Sequence, residues 1–350
     1  MRRRVPQLPS SPVIDLVAGG AGFIGSHLCE RLLQDGHEVV CIDSLVTGRR
    51  SNIEPVLEWP TFTFVNQDVV EELPALPPVQ RVFHLASPAS PPAYQRYPVE
   101  TVRANTEGTR RLLEVAAADG ARFVYCSTSE VYGDPLEHPQ HEDYRGNVSS
   151  TGPRSMYDEA KRCGEALTVA YEGSRNVDAR IVRIFNTYGP RSDPLDGRVV
   201  PNFITQALRH EPITVYGDGR QTRSLCFVSD LVEGLIRVGE CDTARGQVIN
   251  LGNPEEHSVL EFAKLIRELA GSTSRITFTE PAVGDDPQRR CPSIHKARRL
   301  LGWEPQVSLC DGLQETIAYF RDGLCGEGAV TPRRRDPDVV PRMASESLHT

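Results

Sequence analysis

Val13-Ile-Asp-Leu-Val-Ala-Gly-Gly-Ala-Gly-Phe-Ile-Gly-Ser-His27 decides the fold. A short apolar run leads into a turn crowded with glycine, and then Leu28, Leu32 and Leu33 recur at helical spacing. A strand, a glycine turn and an amphipathic helix in succession form a pyrophosphate-binding unit. Glycine lets the backbone approach the phosphates, and the helix N-terminus offers them free N–H groups. Gly20, Gly22 and Gly25 give the dinucleotide fingerprint, and Gly19, Gly22 and Gly25 give its variant spaced by three. The next apolar run, Val39–Ile42, ends at Asp43, 18 residues after Gly25. An acid there suits the ribose hydroxyls and repels a 2′-phosphate, so the sequence favours NAD over NADP.

Working outward, apolar strands are expected at Phe62–Val65, Val82–Ala86, Phe123–Ser127 and Ala179–Ile184. Helical periodicity fills the gaps between them, notably over Val99–Asp119 and Tyr157–Glu172. This alternation predicts an α/β fold: a Rossmann-type doubly wound parallel sheet with a smaller C-terminal substrate-binding lobe. The expected division is a tail over 1–12, an NAD-binding domain over 13–185, a mainly nucleotide-sugar-binding lobe over 186–325 and a disordered tail over 326–350. After Phe185 the chain breaks at Gly189, Pro190, Pro194, Gly197, Pro201, Gly217 and Gly219. Later helices are expected near Leu260–Ala270 and Asp311–Tyr319, and from about Cys325 onward Pro, Arg, Asp and Ser dominate without periodicity.

The 350 residues carry a net charge of −8. That balance argues against nucleic acid or a membrane surface as the main partner, since the arginine runs at 2–4 and 333–335 lie in proline-rich ends. Nine scattered cysteines without a C-x-x-C pair read as reduced thiols of a cytoplasmic protein. No run is long and apolar enough for a membrane span. No compact His/Asp/Glu ligand set is evident in the sequence, so no metal is expected.

Tyr157-Asp-Glu-Ala-Lys161 opens a predicted helix. Positions i and i+4 share a face, so the Lys161 ammonium can sit near the Tyr157 phenol and favour the phenolate. Such a phenol can take the proton from a substrate hydroxyl while hydride leaves the same carbon. The strand Phe123–Ser127 ends in Ser127, Thr128 and Ser129, any of which could hold that substrate oxygen.

These motifs resemble the extended short-chain dehydrogenase/reductase family of nucleotide-sugar enzymes: the spaced glycines, Ser-Thr-Ser-Glu-Val-Tyr-Gly at 127–133 and Tyr-x-x-x-Lys at 157–161. Longer strings are similar to the UDP-glucuronate decarboxylase (UDP-xylose synthase) branch of that family. They include His84 through Pro92, Ile184 through Pro190, Asp196 through Val200, Gln221 through Arg223 and Leu251 through Glu255. The resemblance spans about Val13 to Arg321. It implies that the chain converts UDP-glucuronate to UDP-xylose through a UDP-4-keto intermediate, with NAD reduced and re-oxidised in place, and that the partner is a second copy in a homodimer.

By the same resemblance, Thr128, Tyr157 and Lys161 are the catalytic hydroxyl, base and lysine. Glu130 stands beside the reacting sugar and Arg223 near its carboxylate. NAD contacts are expected at Gly19, Gly22, Phe23, Ile24, Gly25, Asp43, Ser44, Thr47, Gly48, Asp68, Val69, Leu85 and Ser87. Further NAD contacts are expected at Tyr157, Lys161, Thr187 and Arg198. Nucleotide-sugar contacts are expected at Arg103, Glu130, Asn186, Tyr216, Arg223 and Arg290. Ala18, Ser44 and Ser293 depart from the family's usual threonine, asparagine and aspartate.

Several residues keep a plainer reading. Glu130 could be a solvated loop acid and Arg223 a salt-bridge or diphosphate residue. His84 reads as a packed, hydrogen-bonded histidine, and Tyr125 and Tyr132 as core or wall. Asp15 is unusual inside a buried strand and is expected at the strand's start. The apolar face of the helix from Val99 suits either a dimer surface or the core. Alternative activities on the same scaffold are an oxidative decarboxylase releasing NADH and keto-pentose, or a 4-epimerase; a non-enzymatic NAD sensor is a further one. A 4,6-dehydratase is disfavoured, because Ser129 stands where that chemistry needs an aspartate.

Overall fold

The computed structural model describes residues 12–280 and 289–327. The expected N-terminal tail, apart from residue 12, and the expected C-terminal tail beyond 327 lie outside them. Six strands follow one another, with helices between all but β3 and β4: β1 (Ile14–Ala18), β2 (Glu38–Asp43), β3 (Phe62–Asn66), β4 (Arg81–His84), β5 (Arg122–Thr128) and β6 (Asp178–Ile184). They form a parallel sheet with a seventh strand, Val248–Leu251, in the order Val248–Leu251, β6, β5, β4, β1, β2, β3. The predicted doubly wound sheet is therefore present.

The strands read as near-continuous apolar runs because helices cover both faces of the sheet. Leu28, Leu32 and Leu33 of α1 (Phe23–Gln34) are buried together with Val17, Val39 and Cys41 on one face. Leu112, Leu113 and Ala116 are buried with Leu16, Val40 and Phe123 on the other. The expected helix over Val99–Asp119 is one rod containing a wider turn: Pro98–Arg103, a π-helical segment at Ala104–Gly108, then Thr109–Asp119.

The chain does not stay in the second lobe after Phe185. The helix Val228–Glu240 packs its apolar face beneath the sheet, and Val248–Leu251 pairs in parallel with β6. The lobe itself carries a three-stranded sheet in the order Glu256–Ser258, Thr222–Ser224, Arg289–Arg290. Among the described residues no helix is long and apolar enough to cross a membrane.

Asp15 differs from its expected position. It is fully buried inside β1, where Arg81 grips its carboxylate with Nε at 2.5 Å and Nη2 at 2.7 Å, and His37 Nδ1 lies 2.8 Å from it. The register sets Asp15 directly across from Arg81, so the pairing is a property of sheet order and not of local sequence.

Candidate active site

In an open parallel sheet, ligands bind beyond the C-terminal ends of the strands, where the strand order reverses. Here the reversal falls between β1 and β4. Leu85 and Ala86, just past β4, lie against Gly19, just past β1: a Cβ on Gly19 would approach the backbone of Ala86 to 2.7 Å, and its φ of +83° also favours glycine. Gly25 lies under the turn, where a Cβ would come 2.1 Å from the Gly19 carbonyl oxygen. Gly22 is different, since its missing Cβ points into space bounded only by the Gly19 carbonyl oxygen at 3.2 Å. It caps α1 without a side-chain hydrogen bond, and the first turn of α1 carries no acid. The free N–H groups of the first turn of α1 and the open face of Gly22 suit a diphosphate.

A cleft beside this turn is lined by Gly19, Gly22, Asp43, Ser44, Thr47, Gly48, Asp68, Val69, Leu85 and Ser87. Every one of these was expected to contact a dinucleotide. Sequence reasoning missed Ile42, Val46, Gln67, Ala86, Pro88, Glu100 and Ala104, which line the same cleft from β2, from loops and from the helical rod that begins at Pro98. The Asp43 carboxylate accepts N–H bonds from Ala21 (2.9 Å) and Leu45 (2.8 Å) and lies so close to Gly48 that a Cβ there would clash at 2.6 Å. Burial pushes its pKa upward against these donors. These residues fit NAD: the N-terminus of α1 would offer backbone donors to its phosphates, and one acid, Asp43, lies at the second strand's end for its ribose.

Gly25→Ala is expected to destabilise the chain by about 1–3 kcal/mol through overpacking and to weaken NAD binding. Gly22→Ala should leave stability nearly unchanged and still weaken NAD. Denaturant unfolding and a fluorescence titration with NAD distinguish the two.

The second constellation forms where β5 meets the helix Ser155–Arg175. Thr128 ends β5 and caps the short turn Ser129–Tyr132, its Oγ1 accepting the Glu130 N–H at 3.2 Å. That leaves the Thr128 O–H able to donate to the neighbouring Tyr157 phenol oxygen. Burial pushes the phenol up to about 12, while Thr128 and the charge of Arg198 pull it down. Lys161, one turn on, is buried and donates to the Cys126 carbonyl at 2.7 Å, with its ammonium 6.0 Å from the Tyr157 ring centroid. Burial lowers Lys161 to about 8. The predicted Tyr–Lys pair thus shares one helix face with Thr128 beside it. Tyr94, unmarked by any sequence motif, stacks on Tyr157 at 5.2 Å with the rings 11° apart.

Glu130 is not a solvated acid. Arg154 Nη2 lies 2.5 Å from its Oε2, and Arg290 reaches both oxygens, Nη2 to Oε2 at 3.0 Å. Burial works against the charge, yet Arg290 and Arg154 hold the carboxyl below its ordinary value. Glu130, Arg154 and Arg290 line a small cavity with Gly133, Asn147, Ser149 and Asp158. Arg154 was missed; its position three residues before Tyr157, one helical turn, was the available signal. Arg223 is buried on the strand beside Arg290 and in register with it, and it donates to the Thr222 carbonyl at 2.8 Å.

The other expected residues lie elsewhere. Arg198 is the exception: its charge acts on Tyr157 and Glu130 while it donates to the Ala89 carbonyl at 2.6 Å; Thr187 donates to the Phe185 carbonyl at 2.9 Å. The Asn186 carbonyl accepts from the Cys226 N–H at 2.9 Å. Arg103 is exposed and ion-paired with Glu107 at 3.2 Å, and Tyr216 is exposed at the end of its strand. Neither lines the two cavities described here. His84 is a packed histidine, as read: it is fully buried, its Nε2 lies 3.0 Å from Thr109 Oγ1, and burial and the Lys161 charge lower it to about 3. Tyr125 and Tyr132 are buried walls.

Residues 16–252 match the NAD dependent epimerase/dehydratase family. The chain is 52% identical over 309 residues to UDP-glucuronic acid decarboxylase 1 of Xenopus tropicalis, covering 88% of this chain and 72% of that protein. It is 52% identical over 312 residues to UDP-glucuronic acid decarboxylase 2 of Arabidopsis thaliana, covering 89% and 69%. Among solved structures it resembles UDP-glucose 4-epimerase from Thermotoga maritima with UDP-glucose (TM-score 0.82, 31% identity, 89% and 100% covered). It also resembles UDP-glucuronic acid 4-epimerase from Bacillus cereus in complex with UDP-glucuronic acid and NAD (TM-score 0.79, 30% identity, 89% and 99% covered).

Proposed function

The chain belongs to the NAD dependent epimerase/dehydratase family, the extended short-chain dehydrogenases/reductases, and from that premise we propose that it decarboxylates UDP-glucuronate to UDP-xylose. One observation carries the reading from geometry. A buried Tyr157–Thr128–Lys161 set meets a carboxylate, Glu130, gripped by two arginines, next to a cleft suited to NAD.

NAD held at the Gly19–Gly25 turn and Asp43 would supply the acceptor for the C4 hydride and, once reduced, the donor that returns it, and its cationic ring would favour the Tyr157 phenolate. Tyr157 takes the proton from the C4 hydroxyl, and Lys161 holds positive charge on the same helix face. A ketone at C4 stands β to the C6 carboxylate. The C5–C6 bond then breaks with its electron pair passing into an enolate on O4, and carbon dioxide departs without a metal. Tyr157 and Thr128 stabilise that oxyanion as hydrogen-bond donors. Glu130, held ionised, serves as a fixed acceptor that orients the sugar or the water that protonates C5. Arg290 and Arg223, side by side on neighbouring strands, face the sugar's acid group and diphosphate.

Thr128→Val removes the donor that pulls the phenol down. The expected result is a 10- to 100-fold lower rate, the scale of one hydrogen bond to a charged group. Because the base acts deprotonated, the acidic limb of the kcat/KM profile should move to higher pH.

The protein incubated with UDP-glucuronate and NAD is expected to yield a UDP-pentose with no net NADH, read by product mass and absorbance together. Stoichiometric NADH would instead make it an oxidative decarboxylase, and unchanged mass would leave an epimerase or a sensor. The reading includes a homodimer, supported by Val99, Val102 and Val169, which are exposed on the packed helices 98–103 and 155–175. It also includes a reducing, cytoplasmic setting, supported by eight free thiols among the described residues.

A further inference from the structure

Three segments far apart in sequence bring a histidine, a glutamate and a cysteine together on the outer side of the lobe. His138 Nε2 lies 3.1 Å from Glu256 Oε2, and one imidazole nitrogen, one carboxylate oxygen and Cys291 Sγ all lie within 4.8 Å of one another. The set is held in place. The Cys291 N–H donates to Gln140 Oε1 at 2.9 Å and the Gln140 N–H to the Cys291 carbonyl at 2.9 Å, which fixes His138 two residues away. Glu256 is fixed by its strand pairing to Ser224. Ser224 Oγ is buried against the Cys291 thiol, which also donates to the Pro254 carbonyl at 3.3 Å. Cys291 is buried while His138 is exposed, so the group opens to solvent on one side.

We propose that His138, Glu256 and Cys291 bind a thiophilic divalent cation of the Zn2+ class. Imidazole, carboxylate and thiolate suit that ion, and three protein ligands leave its fourth position to water. The ion bonds to the Cys291 sulfur as the thiol proton passes to solvent. Its place is now taken by a cation of the chain itself: Arg289 Nη2 lies 2.7 Å from His138 Nε2 and 3.3 Å from Glu256 Oε2. Arg289 is exposed, so its guanidinium can swing away. The ion then clips the loop at 138 and the strand at 256 to the chain just after Arg290. This site lies outside the chemistry above, and its test does not depend on it.

The test uses the NAD-loaded protein with the exposed Cys163 and Cys310 replaced by serine. Zn2+ is titrated against a chromophoric chelator, and Co2+ serves as a spectroscopic probe. The expected result is one tight equivalent, a thiolate-to-cobalt band and a rise in thermal midpoint with Zn2+. Cys291→Ser should abolish the band, and His138→Ala should weaken binding at least tenfold. Arg289→Met should tighten binding about tenfold by removing the competing charge. Absence of a one-equivalent site, a cobalt spectrum without the thiolate band, or affinity unchanged in both Cys291→Ser and His138→Ala would overturn the proposal.

Discussion

Tyr157→Phe is expected to lower UDP-xylose formation by about 10²–10⁴-fold, the range for removing a general acid–base. The ring remains, so its stacking on Tyr94 and its place in the helix survive, and only the oxygen that exchanges the proton at O4 is lost. No neighbour replaces it readily. Lys161 is committed to the Cys126 carbonyl, Thr128 is a far weaker acid than a phenol, and burial keeps His84 neutral with Nε2 facing Thr109. NAD affinity, measured on the same preparation, should stay within a few-fold of the parent, which separates lost chemistry from lost binding. Pentose formation at full rate in this variant would end the proposed mechanism.

Arg81→Ala is expected to cost about 3–5 kcal/mol of stability, the scale of breaking a buried ion pair by removing one partner. Asp15 is fully buried, and Arg81 supplies two of its donors. Without them the carboxylate keeps, among the described residues, only His37 in a fully buried position. The double variant Asp15→Leu with Arg81→Met should recover most of the loss, since no charge is then left unpaired. Urea unfolding of the parent, single and double variants gives the comparison. A loss below about 1 kcal/mol in Arg81→Ala would show that water solvates Asp15, because exposed pairs contribute no more than that.

The dinucleotide cleft was legible in the sequence to an unusual depth. Its parts are local: a turn needs glycine where the next strand crowds it, and a strand's last residue stands at the sheet's ligand-binding edge. The spacing from Gly19 to Asp43 therefore gave Gly19, Gly22 and Asp43, the family resemblance gave the other seven expected lining residues, and Gln67, Pro88, Glu100 and the others contributed by loops and a helix escaped. The Tyr157–Lys161 pair was legible for the same reason, since four residues on a helix fix a face.

Glu130 shows where that logic stops. Its motif marked it as important, yet its partners come from residue 154 and from residue 290, on a strand of the other lobe. Tyr94, Asp15 and the meeting of His138, Glu256 and Cys291 are of the same kind. The sequence by itself determined the strand–turn–helix unit, the NAD preference and the phenol–lysine pair, because hydrogen-bonded periodicity dictates neighbours within a few residues. Only the tertiary structure decided which charges meet. A side chain's long-range partner is set by strand order, by register and by the closing of one lobe over the other, and chain spacing encodes none of these.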